Sequence, residues 1–177
     1  MPADQVRLRI VAPTEPILPG RGFYQLEEDA LYVQVGVFSS RRRFFSYLEN
    51  DLLRLDFDRA GRLIFFELSV PRRQWPVDPG LELPPAIEPA DLRWLDFRGP
   101  ISVPALATDP PRTLLRLTFA AGPPVRHYFL GQDVFASVDD CDALVHLWIR
   151  DIVDDLAGQE IGAFRKKHRS HRSFFAG

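Results

Sequence analysis

Asp51-Leu52-Leu53-Arg54-Leu55-Asp56-Phe57-Asp58-Arg59-Ala60-Gly61-Arg62-Leu63-Ile64-Phe65-Phe66-Glu67-Leu68-Ser69-Val70 reads as two strands and the turn between them. Leu53, Leu55 and Phe57 alternate with Arg54 and Asp56, the period-two pattern of a half-buried strand. Asp58 can bond its own backbone and Gly61 tolerates conformations closed to other residues, so 58–61 predicts a tight hairpin connection. In the second strand Ile64, Phe66, Leu68 and Val70 make one apolar face, while Leu63 and Phe65 put bulk on the other. That second face needs a cover: a C-terminal helix, a second sheet layer or another subunit.

The same alternation recurs outside this stretch. Val6, Leu8 and Ile10 alternate with Arg7 and Arg9, and Leu31, Val33, Val35 and Val37 share a face opposite Tyr32, Gln34 and Gly36. Leu52–Phe57 resembles Leu114–Phe119 at an offset of 62 residues, and Leu63, Phe66 and Leu68 then meet Val125, Tyr128 and Leu130. Two related β-units, at 23–70 and 86–131, would explain this self-similarity. Between Pro71 and Pro111 fall ten of the sixteen prolines, which predicts a connection of loops and edge strands over 71–112.

Downstream, a second hairpin is expected over 113–138 and a helical region over 139–168. Asp139 or Asp140 is placed to cap that helix, and Val145, Trp148, Ile149, Ile152, Val153 and Leu156 recur at helical spacing. Strands first and helix last predict an α+β fold in a single domain, residues 1–177. Its sheet would be antiparallel or a partly open barrel, built from two duplicated β-units, with the C-terminal helix packed on it.

Composition narrows the functional classes. The chain has 177 residues, 46% hydrophobic and 26% charged, as an ordinary globular domain has. One cysteine, Cys141, excludes an internal disulfide framework. No apolar run reaches the length of a membrane span, and the polar start does not read as a signal peptide, so a cytoplasmic protein off the membrane is expected. Net charge is −2, unevenly spread: residues 165–172 carry five Lys or Arg and no acid, and the remainder holds 17 basic against 24 acidic residues.

Tyr24-Gln25-Leu26-Glu27-Glu28-Asp29-Ala30-Leu31-Tyr32-Val33 resembles the opening strands of the YuzE-like small bacterial domains, whose pattern runs Y-D-x-E-x-D-A-L-Y-V. Asp51 to Leu63 is similar to that family's D-x-D-x-x-G-R-L hairpin, and Phe66-Glu67 stands where Ile-Glu commonly follows. Gln25 departs from the usual Asp, and the likeness covers about fifty residues. The resemblance implies a compact β-module and, from the genomic arrangement of some members, a protein partner.

Chemistry-bearing residues are sparse. Asp56 and Asp58 are spaced to hold a divalent metal or to share acid–base work, but their place in a strand and a turn favours structural roles, Asp56 facing solvent and Asp58 shaping the turn. His127, His146, His168 and His171 lack the three-or-four-ligand spacing of a zinc site. Asp139, Asp140 and Asp142 oppose thiolate formation at Cys141. No phosphate loop, dinucleotide fingerprint, nucleophile elbow or zinc-protease motif is present.

Two basic clusters remain. Arg41, Arg42 and Arg43 precede Phe44-Phe45, mixing guanidinium charge with aromatic faces; Lys166, Lys167 and Arg169 sit in the basic tail. Leu63, Phe65, Phe174 and Phe175 are candidate interface residues. These features predict a non-enzymatic binding or assembly module, homo-oligomeric, without cofactor or metal, and with a possible protein partner. The alternative is a nucleic-acid or polyanion binder using both basic clusters, and a metal-dependent hydrolase built on Asp56, Asp58 and a histidine ranks third.

Overall fold

The computed structural model describes residues 5–37, 39, 41–163 and 165–166. The N-terminal part supplies β1 Leu8–Val11, β2 Gly20–Gln25, β3 Ala30–Val35, β4 Ser46–Glu49, β5 Leu53–Phe57 and β6 Leu63–Leu68. The proline-rich part supplies β7 Glu88–Pro89, β8 Asp91–Trp94, β9 Gly99–Pro100 and β10 Ala105–Thr108. The rest supplies β11 Leu115–Thr118, β12 Arg126–Gly131, β13 Val134–Val138, β14 Leu144–Ile149 and β15 Val153–Asp154.

A seven-stranded sheet runs β15-β2-β3-β6-β5-β4-β9, and a six-stranded sheet runs β10-β11-β14-β13-β12-β7. β1 and β8 form a separate two-stranded ribbon. Leu31, Val33, Leu55, Phe57 and Phe66 of the first sheet meet Leu115, Leu117, Val134, Ala136 and Leu147 of the second in one buried core, which Leu8, Leu92 and Trp94 of the ribbon close. Burying each such side chain contributes about 1.5–3 kcal/mol, so this shared layer holds the two sheets face to face. At one corner the backbones touch: a Cβ on Gly20 would lie 2.9 Å from the Cα of Gly131. The Asp133 N–H donates across the same corner to the Gly20 carbonyl at 3.0 Å.

The α+β expectation is overturned. Strands hold 44% and helical turns 8%, and the sheets of the described residues form no closed barrel. Residues 144–149, expected within a helix, form β14 between β11 and β13. A register shift between Ser137 and Val138 places Val145 as an extra residue, which spreads the apolar positions to a helix-like spacing. Asp139 accepts from the backbone N–H groups of Cys141 and Ala143, at 2.8 and 2.9 Å, and so folds a turn between strands where a helix cap was expected. Among the described residues, helical structure is confined to Arg72–Gln74 and to 156–163 and 165–166; Asp155 accepts from the N–H groups of Glu160 and Ile161 there.

The expected repeat is not kept in the strand pairing. β5 and β6 are neighbours, whereas their counterparts β11 and β12 are separated by β14 and β13. The offset therefore relates two apolar patterns placed differently in their sheets. Of the proline-rich strands, β7, β9 and β10 all lie at sheet edges, where a missing N–H costs least.

A bulge decides where Leu63 and Phe65 go. Phe57 pairs with Leu63 and Asp56 with Phe65, which leaves Ile64 as the extra residue. Leu63 and Phe66 both turn into the shared core, while Ile64 and Phe65 turn outward into a second cluster with Phe23, Tyr32 and Ile161. Thus Leu63 is covered by the second sheet and Phe65 by the C-terminal helical turns, at 1% and 5% exposure in the single chain. Phe174 and Phe175 lie outside the described residues. No helix among the described residues is long and apolar enough to cross a membrane.

Candidate anion-binding site

The hairpin turn after β5 is built by Asp58. Its Oδ1 accepts from the N–H groups of Ala60 and Arg62, both at 2.9 Å, and its Oδ2 accepts from the Arg62 Nε at 2.8 Å. Gly61 has φ +82°, and a Cβ there would come within 2.6 Å of the Trp94 carbonyl, so only glycine closes this turn. Both demands leave Arg59 exposed at the tip.

Segment 41–45 enters β4 beside that tip. The Ser39 Oγ accepts from the N–H groups of Arg41 and Arg42, and the Phe45 N–H donates to the Phe57 carbonyl at 2.8 Å. Phe45 is thereby fixed between two arginines distant in sequence: the guanidinium carbons of Arg59 and Arg98 each lie 5.1 Å from its ring centroid. One strand pair away, Arg54 lies 4.1 Å from the Tyr47 ring centroid, and Tyr47 stacks with Phe44 at 6.3 Å. Each such contact contributes about 0.5–1 kcal/mol at an exposed site, enough to orient a guanidinium without consuming its N–H donors.

Two open basins flank Phe44 and Phe45. The first, about 540 Å³, is lined by Arg41, Arg43, Arg59 and Arg62. The second, about 730 Å³, is lined by Tyr47, Glu49, Asp51 and Arg98. Arg62 is held by Asp58 and Arg54 by the buried Asp56 at 2.8 Å, but no carboxylate among the described residues pairs with Arg41, Arg59 or Arg98. Positive charge therefore accumulates at this end of the first sheet although the whole chain is at −2.

The predicted arginine triplet divides. Arg41 and Arg43 line the first basin, while Arg42 turns away to Glu15 at 3.3 Å, with only 12% of its side chain exposed. Lys166 is exposed at the end of the helical turns, which reach the same face: Ile161 and Phe44 belong to one apolar cluster. Its neighbour Arg165 pairs with both carboxylate oxygens of Glu28 and lies 5.0 Å from the centroid of Tyr32. Lys167 and Arg169 lie outside the described residues. Arg59, Arg62, Arg98 and Tyr47 were not singled out by sequence; the one available signal for Arg98 is its adjacency to Phe97, echoing Arg43-Phe44.

The other candidates are absorbed by structure. Asp56, expected to face solvent, is fully buried beside Arg54, and Asp58 is occupied by its turn. Burial of the polar row Thr118, His146, Ser137 and His127 is most complete at Ser137, whose Oγ meets His127 Nδ1 at 2.7 Å and accepts from the Trp148 indole at 3.0 Å. Burial lowers the pKa of His127; burial, with the Arg116 and His127 charges, pushes His146 down to about 4. Asp140 and its acidic neighbours hold the Cys141 thiol above its ordinary value, away from thiolate reactivity.

No protein-family model matches the chain, and no curated protein is detectably related to it.

Proposed function

We propose that this protein is a non-enzymatic binding module that grips a flexible polyanion of the nucleic-acid type through the arginine–aromatic surface at the β4–β5 end of the first sheet. The observation that carries this reading is the convergence of Arg59 and Arg98 on the ring of Phe45, beside Arg41 and Arg43. A guanidinium held near a ring by cation–π attraction spends no N–H donor on a carboxylate, and its planar fork matches phosphate oxygens in pairs. The concave basins and exposed Tyr47 favour a strand that can bend and unstack over a rigid duplex. The YuzE-like pattern of residues 24–33 and 51–63 enters the proposal as the β-framework that carries this surface, with a protein partner as the reading it would otherwise favour.

A fluorescently labelled single-stranded oligonucleotide, titrated at low salt, tests the reading. The wild type is expected to bind it and to release it to heparin. An Arg59→Glu/Arg98→Glu variant is expected to lose at least tenfold in affinity while staying folded, its stability lowered by no more than about 1–2 kcal/mol through the two lost ring contacts. Absence of binding by the wild type, or equal affinity of the variant, would overturn the proposal.

A further inference from the structure

Residues 13–18 run over Leu63 of β6, Leu92 of β8 and Leu130 of β12 without filling the space beneath them, and a cavity of about 50 Å³ remains. Ala12 to Ile17 are exposed, Pro13 and Pro16 have no N–H to donate, and among the described residues none of 12–17 makes a backbone hydrogen bond. The polar tie of this strap to the body is the ion pair of Glu15 with Arg42 at 3.3 Å. We infer that the cavity binds a short-chain apolar carboxylate, whose head replaces Glu15 on Arg42 and whose tail lies on Leu63, Leu92 and Leu130. The site is separate from the polyanion surface proposed above and does not rest on it.

Floor and charges together set the chemistry of the ligand. Leu63 and Leu92 are buried members of the shared core, and Leu130 and Ala90 pack against it. An apolar lining with few placed polar groups is the make-up of a small-molecule pocket. Two guanidiniums border it: Arg42, with 12% of its side chain exposed, and Arg62, held through Nε by Asp58 at 2.8 Å. Of the two carboxylates at the wall, Asp91 is engaged by Arg93 at 2.9 Å, which leaves Glu15 as the one facing Arg42. Glu15 has 51% of its side chain exposed and meets Arg42 half in water, where an ion pair contributes little. A ligand carboxylate on the same guanidinium keeps the charge balance and adds the burial of its tail. A cavity about three times larger holds a benzene ring, so the tail is limited to about two to four carbons. Inorganic anions, having no tail, leave the leucines uncovered.

Butyrate, titrated against the full chain and followed by the methyl NMR resonances of its leucines, tests the site. 1-Butanol supplies the tail without the charge, and inorganic phosphate the charge without the tail. Butyrate is expected to bind with a dissociation constant in the low-millimolar range, as about six non-hydrogen atoms allow, and to shift Leu63, Leu92 and Leu130. Butanol and phosphate are each expected to bind at least about fivefold more weakly, through loss of the charged contact or of the buried tail. Arg42→Gln is expected to weaken butyrate about fivefold or more, and Glu15→Gln, which removes the internal competitor, to tighten it about two- to threefold. Ala90→Leu fills the cavity and is expected to abolish binding in a folded chain. Absence of leucine shifts at about 50 mM butyrate would overturn the site. So would equal affinity for butanol or phosphate, unchanged binding by Ala90→Leu, or a Glu15→Gln variant that binds no more tightly, whatever the outcome with oligonucleotides.

Discussion

The outer faces of the two large sheets use the same materials for different ends. On the second sheet, Arg116 stacks on Trp148 and Arg150 on Phe135, but Leu81, Leu83 and Ile87 of the proline-rich segment pack over these rings. Trp148 and Phe135 are consequently buried, and Ser137 with them. On the first sheet the C-terminal helical turns cover only the part around Tyr32 and Phe65, and the β4–β5 end keeps Tyr47 and its arginine in contact with solvent. An arginine on a ring is a packing element when a strap lies over it and a potential ligand contact when none does. Location relative to the covers, and not residue type, separates scaffold from site.

Paired truncations break this comparison if it is wrong. Trp148→Ala, under the strap, is expected to destabilise the fold by about 3–5 kcal/mol in urea denaturation. Tyr47→Ala, on the open end, should cost only about 1 kcal/mol, through its contacts with Arg54 and Phe44. The same Tyr47→Ala variant should bind a single-stranded oligonucleotide several-fold more weakly. Ile161→Ala removes the cover of Phe65 and is expected to cost about 2 kcal/mol, with binding of a hydrophobic dye rising as Phe65 and Ile64 are uncovered.

Acid should act oppositely on the two faces. His127 and His146 are held neutral by burial, with pKa values below the ordinary 6.5. The unfolded chain therefore binds more protons than the folded one once pH falls below 6.5, and stability present above that value is lost toward about pH 4. Glu67, half-buried on the first sheet, has its pKa raised above 4.5 chiefly by desolvation. There the folded chain holds the extra proton, so falling pH favours the fold between the raised value and 4.5. Urea midpoints measured from pH 7 to 4 should fall less steeply for His146→Gln than for the wild type, and more steeply for Glu67→Gln. The smallest effect is expected from ending the chain at Lys166, which removes Lys167, Arg169 and Arg172: about a two- to threefold loss in oligonucleotide affinity at low salt, with the fold intact.

Much of the first sheet is legible from alternation alone. Leu31, Val33 and Val35, and Leu53, Leu55 and Phe57, all point into the shared core as their spacing requires, and Asp58 and Gly61 close the turn between β5 and β6. Bulges are what the pattern conceals. One extra residue at Ile64 reverses the assignment of Leu63 and Ile64, and another at Val145 makes a strand imitate a helix. Asp56 misleads for a different reason: its charge reads as solvent-facing, yet Arg54 at 2.8 Å allows its complete burial. Of the site, Arg43-Phe44-Phe45 is visible as a string, whereas Arg98 reaches Phe45 only because residues 97–100 run along the edge of β4. Such long-range convergence leaves no mark in local sequence.

Salt dependence of oligonucleotide binding tests the central claim most directly. With about three to four arginines engaging phosphates, the logarithm of affinity should fall against the logarithm of salt with a slope of about −2 to −3, and Arg59→Ala/Arg98→Ala should flatten that slope by about one unit or more. A wild-type slope near zero, or one that the double substitution leaves unchanged, would contradict the assignment of this surface to an anionic ligand.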